Sequence, residues 1–215
     1  MIYVIRMLTD CDPKKMWASI IEQKESLQHT LVNKGQLMYL SKRADHNEVN
    51  LFVHSFDSNI LTDLLINHLG AIKEVSDISI YQLFRPRFFP IPKDNSDMKH
   101  CIVDIKVKPQ HFTEVYKKLL NPNVPEGIRK VYYAFVFQQN GGDMQYSLLA
   151  NDEDKMQKFV TENICAIEGV VRTEVYMIEK TKPFISYKEW MEYTKIAKLV
   201  PAWNRYMENH FSFEE

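Results

Sequence analysis

Glycine, proline and cysteine are all scarce in this chain, at six, nine and three of 215 residues. The first two counts exclude collagen-like and low-complexity folds. Cys11, Cys101 and Cys165 stand far apart and form no CxxC pair. An odd set of isolated thiols predicts free, mostly buried cysteines in a reducing compartment, not a disulfide framework. Long apolar runs are missing as well. The opening stretch is broken at Arg6, too soon for the roughly 7–15 apolar residues of a secretory signal, and nothing approaches the ~20 of a membrane span. A cytoplasmic location and no membrane partner are the resulting expectations. Charge of one sign is absent in bulk. The 27 Lys and Arg face 28 Asp and Glu, which excludes a protein that coats nucleic acid by net charge.

Catalytic and metal signatures are absent too. There is no P-loop, dinucleotide glycine fingerprint or G-x-S-x-G elbow. The seven histidines, His29, His46, His54, His68, His100, His111 and His210, show no HxH or HExxH spacing. No metal site, catalytic grouping or cofactor is therefore expected. His54, within an apolar run, reads as an interior or edge histidine. A haem would need one such imidazole facing an apolar cavity.

What is present is pattern. Residues 1–8 read as a strand, and Asp12-Pro13 opens a helix that runs to Lys34-Gly35, with the glycine as its C-cap. Residues 37–41 and 49–55 read as strands, Asp57-Ser58 starts a second helix, and 73–85 is a strand. The order then repeats. A strand at 101–107 and a helix at 109–120 precede strands at 130–138 and 145–150, with a helix at 152–166 and a strand at 169–179 to close. Asn140-Gly141-Gly142-Asp143 is a hairpin-turn signal in which glycine would supply positive φ. Asp57, Ala71, Ile72, Val75 and Tyr81 each recur 95 residues later, as Asp152, Ala166, Ile167, Val170 and Tyr176. One offset for five equivalent places predicts an internal duplication.

The expected fold is α+β. Two tandem ferredoxin-like βαββαβ units, 1–85 and 99–183, would cover each other's bare sheet faces as a dimeric α/β-barrel-like pseudo-dimer. A stiff proline-rich linker at 86–98 joins them, and an aromatic helical tail, 184–215, is expected to dock onto the body or a partner subunit before and after Pro201.

The residues from Gly142 to Ala150, Asp152 to Val160 and Ala166 to Val175 resemble the effector-binding (RAM/ACT-like) domain of Lrp/AsnC transcription regulators. That family's domain has a Gly-Asp turn, a strand, a helix and an apolar-x-Gly-Val-x-x-Thr segment. The match covers about Cys101 to Lys182 and is degenerate in the first half, where Asn47-Glu48 stand in place of Gly142-Asp143. The family's helix-turn-helix is missing. The resemblance implies a stand-alone module that binds a small-molecule effector such as an amino acid, forms homo-oligomers, and reaches transcription through a partner DNA-binding regulator without contacting DNA itself. The competing expectation is an enzyme of the wider dimeric α/β-barrel group, of oxygenase or haem-dependent type.

Candidate ligand-binding residues are Gly141, Gly142 and Asp143 at the turn, with Gln145 and Tyr133 on the flanking strands. A carboxylate there would accept from an amino group, and free backbone N–H groups would take a carboxylate. Gly141-Gly142-Asp143 followed by Met144-Gln145 departs from the GGDEF signature of diguanylate cyclases and lacks carboxylates for two metal ions. Arg85 and Arg87, beside Phe88 and Phe89, have the composition of a single-strand nucleic-acid binder, though a linker whose phenylalanines pack on the domains explains them equally. Alternation places Tyr133, Phe135 and Phe137 on one face and Tyr132, Ala134 and Val136 on the other.

Overall fold

Aspartates start the helices as the sequence predicts. Asp12 accepts from the Lys14 N–H at 2.9 Å, Asp57 from Asn59 at 2.9 Å and Asp152 from Asp154 at 2.8 Å and Lys155 at 3.2 Å, each satisfying donors that a first turn leaves orphaned. The structure, a computed structural model, describes residues 1–44, 46–91, 97–120, 123–138 and 141–198. Pro201 and the tail aromatics beyond it lie outside these residues, as do residues 92–96 of the proline-rich segment.

The described elements are β1 (Ile2–Leu8), α1 (Pro13–Glu22), α2 (Lys24–Thr30), β2 (Gly35–Arg43), β3 (Glu48–Ser55), α3 (Ser58–Asp63), β4 (Asp77–Phe88), β5 (Lys99–Val107), α4 (Phe112–Leu120), β6 (Ile128–Phe135), β7 (Met144–Ala150), α5 (Glu153–Phe159), β8 (Val170–Pro183) and α6 (Tyr187–Lys198). The fold is α+β, with its strands in the hydrogen-bonded order of a closed barrel, β1-β3-β2-β8-β5-β7-β6-β4. No described helix is long and apolar enough to cross a membrane.

The chain divides into two compact units. Unit 1 comprises Met1–Phe84, Val136–Asn140 and Val175–Ile185, and unit 2 the intervening stretches and α6. These boundaries differ from the tandem split at 85 and 99, because two strands run past it. The end of β8 belongs to unit 1, where Tyr39 of β2 pairs with Pro183 and Arg43 with Ile178. The last residues of β4, from Arg85 on, belong to unit 2, where Phe89 donates its N–H to the Val131 carbonyl at 2.9 Å. Pro86 thus lies inside β4 and does not open a linker. A strand tolerates proline where no ladder bond needs its nitrogen.

In unit 1, one face of β1, β3 and β2 is apolar. Ile5, Met7, Leu37, Leu40, Val49, Leu51 and Val53 pack on Met16, Trp17, Ile20, Leu27 and Leu31 of the helical layer, all between 0 and 7% exposed. A register shift between Leu37 and Tyr39 lets both Leu37 and Leu40 reach this core. Unit 2 has the matching irregularity between Lys130 and Tyr132. Both helices that Asp57 and Asp152 cap run on through π turns, Leu64–His68 and Val160–Cys165.

Three local expectations need correction. The first long helix breaks at Gln23 into α1 and α2. Asn33, not Gly35, takes the left-handed position after it, at φ +62°, a role asparagine fills next best to glycine. Gly35 serves close approach, since a Cβ there would lie 2.4 Å from the His54 carbonyl oxygen. All three cysteines are free as expected, but only Cys101 is buried, while Cys11 and Cys165 are exposed. Burial pushes the Cys101 thiol up to about 12, so it is inert as a nucleophile at neutral pH.

Candidate functional site

The β6–β7 hairpin places the turn residues differently from a positive-φ loop. Among the described glycines only Gly127 and Gly169 have positive φ, so Gly142 is not there for its dihedral. It is there for space, because a Cβ would meet the Ile105 nitrogen at 2.8 Å and the Met144 oxygen at 2.9 Å. Asp143 is 7% exposed and fully used. One oxygen accepts from the Val107 N–H at 2.9 Å and the other pairs with Lys106 Nζ at 2.8 Å. Its carboxylate ties β7 to the end of β5. Gly141 is half-buried beside it.

Tyr133 leads to a denser group. β6 and β7 pair so that Tyr133 faces Tyr146, and the two rings meet edge-on. Tyr116 of α4 lies 4.8 Å from the Tyr133 ring and stacks on Phe135, also at 4.8 Å. Phe112 meets Phe135 edge-on and Phe89 stacks on Tyr133. Aromatic contacts of these geometries add to the burial term. Tyr116 is locked by its own hydroxyl, which donates to the Arg85 carbonyl at 2.9 Å and accepts from Arg87 Nε at 3.4 Å. Two cations rim the cluster, Arg87 and Lys130, the latter 4.3 Å above the Phe89 ring. Burial holds the Lys130 ammonium below its usual range.

The hydroxyls distinguish this cluster from ordinary core. Tyr146 is 0% exposed, and its hydroxyl has no hydrogen-bond partner in the protein. Burial raises the pKa of Tyr146 far above that of a free phenol. Tyr133 is raised by burial and then by the neighbouring Tyr116. Both remain neutral donors at any physiological pH. A buried polar group left without a partner is uncommon and asks for an explanation. A bound oxygen atom would supply the missing acceptor.

On the opposite face of the same strands, Tyr132 donates to Gln145 Oε1 at 2.5 Å, and Gln145 Nε2 donates to Asp104 Oδ1 at 2.9 Å. Phe88 packs on Tyr132 and on Trp190 of α6. The predicted Gln145 therefore sits in a closed chain of hydrogen bonds, apart from Tyr133. Phe88 is 4% exposed and Phe89 is stacked on Tyr133, so neither is free to stack on a base beside Arg85 and Arg87. The alternation expected for β6 holds from Tyr132 to Phe135. It stops there, where Phe137 has φ +45° and packs with Phe84 in unit 1.

His100 shares this polar face and hydrogen-bonds Ser147 Oγ at 2.6 Å. Burial lowers its pKa to about 4. His54, in unit 1, is lowered to about 4 by burial and then by the Met1 amino group. The folded state binds these protons less readily than an unfolded chain does. The stability they contribute is complete above about pH 6.5 and lost as pH falls toward 4. Unfolding free energies from urea titrations at pH 7 and pH 4.5 should differ by on the order of 2 kcal/mol for each histidine. His100→Gln should flatten the dependence, and an unchanged slope would reject this assignment.

The sequence names Phe89 only as a stacking group beside Arg85 and Arg87, and it does not mark Tyr116, Tyr146 or Asp104 as site residues. The Tyr146 signal was available, since Gln145 and Tyr146 alternate faces, but nothing in a sequence shows that a hydroxyl lacks a partner. No group of three or more potential metal ligands exists among the described residues.

No protein-family model matches the sequence, and no curated protein matches it. Solved structures do share its fold. An anthrone oxidase-like protein superimposes with a TM-score of 0.54 at 12% identity over 86% of this chain and 94% of that one. A monooxygenase-like protein from Lactobacillus acidophilus NCFM gives 0.52 at 12% identity over 85% and 95%. A mutant chlorite dismutase from Candidatus Nitrospira defluvii gives 0.50 at 11% identity over 91% and 95%. These neighbours overturn the resemblance to Lrp/AsnC effector domains, and with it the regulatory module. The reason is visible in the residues that carried it. Asp152 is a helix cap, Gly142 makes room for β5, and Gly169 has φ +94° against His111. Each serves the local geometry of turns, caps and strands, and none of them specifies an effector. The chain is thus similar in fold to monooxygenase-like, anthrone oxidase-like and chlorite dismutase proteins.

Proposed function

We propose that this chain is an oxygenase-type enzyme that oxidises a phenolic, anthrone-like aromatic with dioxygen at the α4–β6–β7 cluster of unit 2. The observation that carries the reading is the buried, partnerless Tyr146 hydroxyl among the rings of Phe89, Phe112, Tyr116, Tyr133 and Phe135. The name of the anthrone oxidase-like neighbour supports the substrate class. A planar aromatic matches such walls. An anthrone's methylene would lose a proton to solvent, which returns it in the water that leaves, and the charge delocalises onto the oxygen, where Tyr146 and Tyr133 would donate hydrogen bonds and Arg87 adds positive charge. Donors fixed beforehand at a developing oxyanion stabilise it most in a water-poor site. The electron-rich carbanion then reduces dioxygen, so that the methylene becomes a carbonyl and one water leaves.

Among the described residues, which leave out His210, the histidines do not fit a haem. His100 and His68 are hydrogen-bonded to Ser147 and Thr30, His54 and His46 lie edge-on to Phe56 and Tyr176, His29 is exposed, and His111 is held against Gly169 beside Glu114. We also infer that the two halves descend from one βαββαβ unit. Support comes from the paired caps, π turns and strand irregularities.

The test is oxygen uptake with anthrone as probe. Uptake should depend on the protein, consume one dioxygen per anthrone and yield anthraquinone. Uptake no faster than in buffer, over the pH range where the protein is folded, would sink the proposal.

A further inference from the structure

A second group of buried polar atoms lies in unit 1, on the face of β1, β3 and β2 that the helices do not cover. Arg6 pairs with Asn50 across β1 and β3, and Ser41 pairs with Asn50 across β2 and β3. Directly opposed residues project from the same face with Cβ atoms about 5 Å apart, so these three side chains form one row. Glu48 and Arg43, two residues along their strands, form the next.

Glu48 organises the group. It accepts from Arg6 Nε at 2.7 Å, from Arg43 at 2.8 and 2.9 Å and from Asn50 Nδ2 at 2.8 Å. Its side chain is 3% exposed, Arg43's 10% and Arg6's 38%. The Arg43 guanidinium carbon lies 3.2 Å over the centre of the Tyr176 ring. Among the described residues, two guanidiniums share this one carboxylate, which leaves a positive charge in a mostly buried place. The Asn50 amide donates to Glu48, and this fixes which of its atoms points away. That atom, Oδ1, is buried and without a partner, as is Ser41 Oγ.

Unit 2 shows the satisfied version. Gln145, 95 residues on from Asn50, has its oxygen bonded by Tyr132 and its nitrogen on Asp104. In unit 1 Tyr39 takes the place of Tyr132, opposite Phe52 as Tyr132 is opposite Ser147, but its ring stacks on Phe52 and Asn50 Oδ1 is left without a hydrogen bond. The missing pieces are a negative charge for the guanidiniums, an O–H for Asn50 Oδ1 and an oxygen near Ser41. A fully deprotonated carboxylate would leave Asn50 unpaired, and a neutral alcohol would leave the charge. An oxyanion that keeps a proton supplies all three.

We infer that unit 1 binds a small protonated oxyanion, of the dihydrogen phosphate or bicarbonate class, at Arg6, Arg43, Ser41 and Asn50. Isothermal titration of the full chain with inorganic phosphate at pH 6.5, and separately with bicarbonate, tests this. One of the two should bind saturably, one per chain, and the tighter one identifies the source. Ser41→Ala, which removes a single hydroxyl, should weaken binding about tenfold. Arg6→Gln, at the most exposed of the ligands, should weaken it further, with the circular dichroism of both variants unchanged. Tyr146→Phe should bind like the parent, which keeps this site separate from the proposed active site. No saturable heat with either anion, or equal binding by Ser41→Ala, Arg6→Gln and the parent, would overturn the assignment.

Discussion

Tyr146→Phe is expected to make the protein more stable and nearly inactive. The two effects share one cause. In the folded protein the Tyr146 hydroxyl is out of water and has no partner, whereas in the unfolded chain it is solvated. Leaving a buried donor unsatisfied costs about 1–3 kcal/mol, and the phenylalanine ring keeps the packing against Tyr133 without that cost. A gain near 1 kcal/mol would raise the melting temperature by roughly 2–4 °C in a chain of this size. In turnover the sign reverses. Losing one hydrogen-bond donor to a developing oxyanion typically costs about a hundredfold in rate. Thermal melts and oxygen uptake on the same preparation read both. A more stable variant that consumes oxygen with anthrone at the parental rate would show that Tyr146 is only core. A less stable one would mean that its hydroxyl is already satisfied.

Much of the fold was legible because local chemistry dictates it. Asp12, Asp57 and Asp152 cap helices wherever they precede an apolar-periodic run, and alternation separated Tyr133 from Tyr132 correctly. The glycines misled. Gly35, Gly141 and Gly142 were read for conformational freedom, yet Gly35 and Gly142 are small because another backbone passes within 3 Å of where a Cβ would be. Close approach is a tertiary fact with no signature in spacing. The same limit hid the course of β4 and β8. A proline inside β4 resembles a linker until its partner strand is known, and the pairing of β8 with β2 joins residues about 140 apart in sequence. The candidate site was half legible for a related reason. Sequence named Tyr133, but Tyr116 and Phe89 reach it from a different helix and strand. The resemblance to effector domains failed because its motif consisted of caps and turns, which neighbouring folds share.

Glu48→Gln should be the most destabilising conservative change in unit 1. The substitution keeps the side chain's size and removes only its charge. Three of the four hydrogen bonds to Glu48 come from guanidiniums, and Gln offers them one oxygen where there were two. Breaking a buried ion pair by neutralising one partner leaves the other charge desolvated, at a cost of about 3–5 kcal/mol. Arg6 can turn toward water, being 38% exposed, but Arg43 at 10% cannot. The cost should therefore concentrate on Arg43, and Glu48→Gln combined with Arg43→Met should recover more than half of it in urea denaturation, since an apolar side chain of similar length needs no partner. If the proposed anion occupies the neighbouring row, the single variant should also gain more stability from added phosphate than the parent does, because the unbalanced charge next to the site has risen by one. A loss below about 1 kcal/mol for Glu48→Gln would place these guanidiniums in contact with solvent. It would then remove the electrostatic reason for an anion in unit 1.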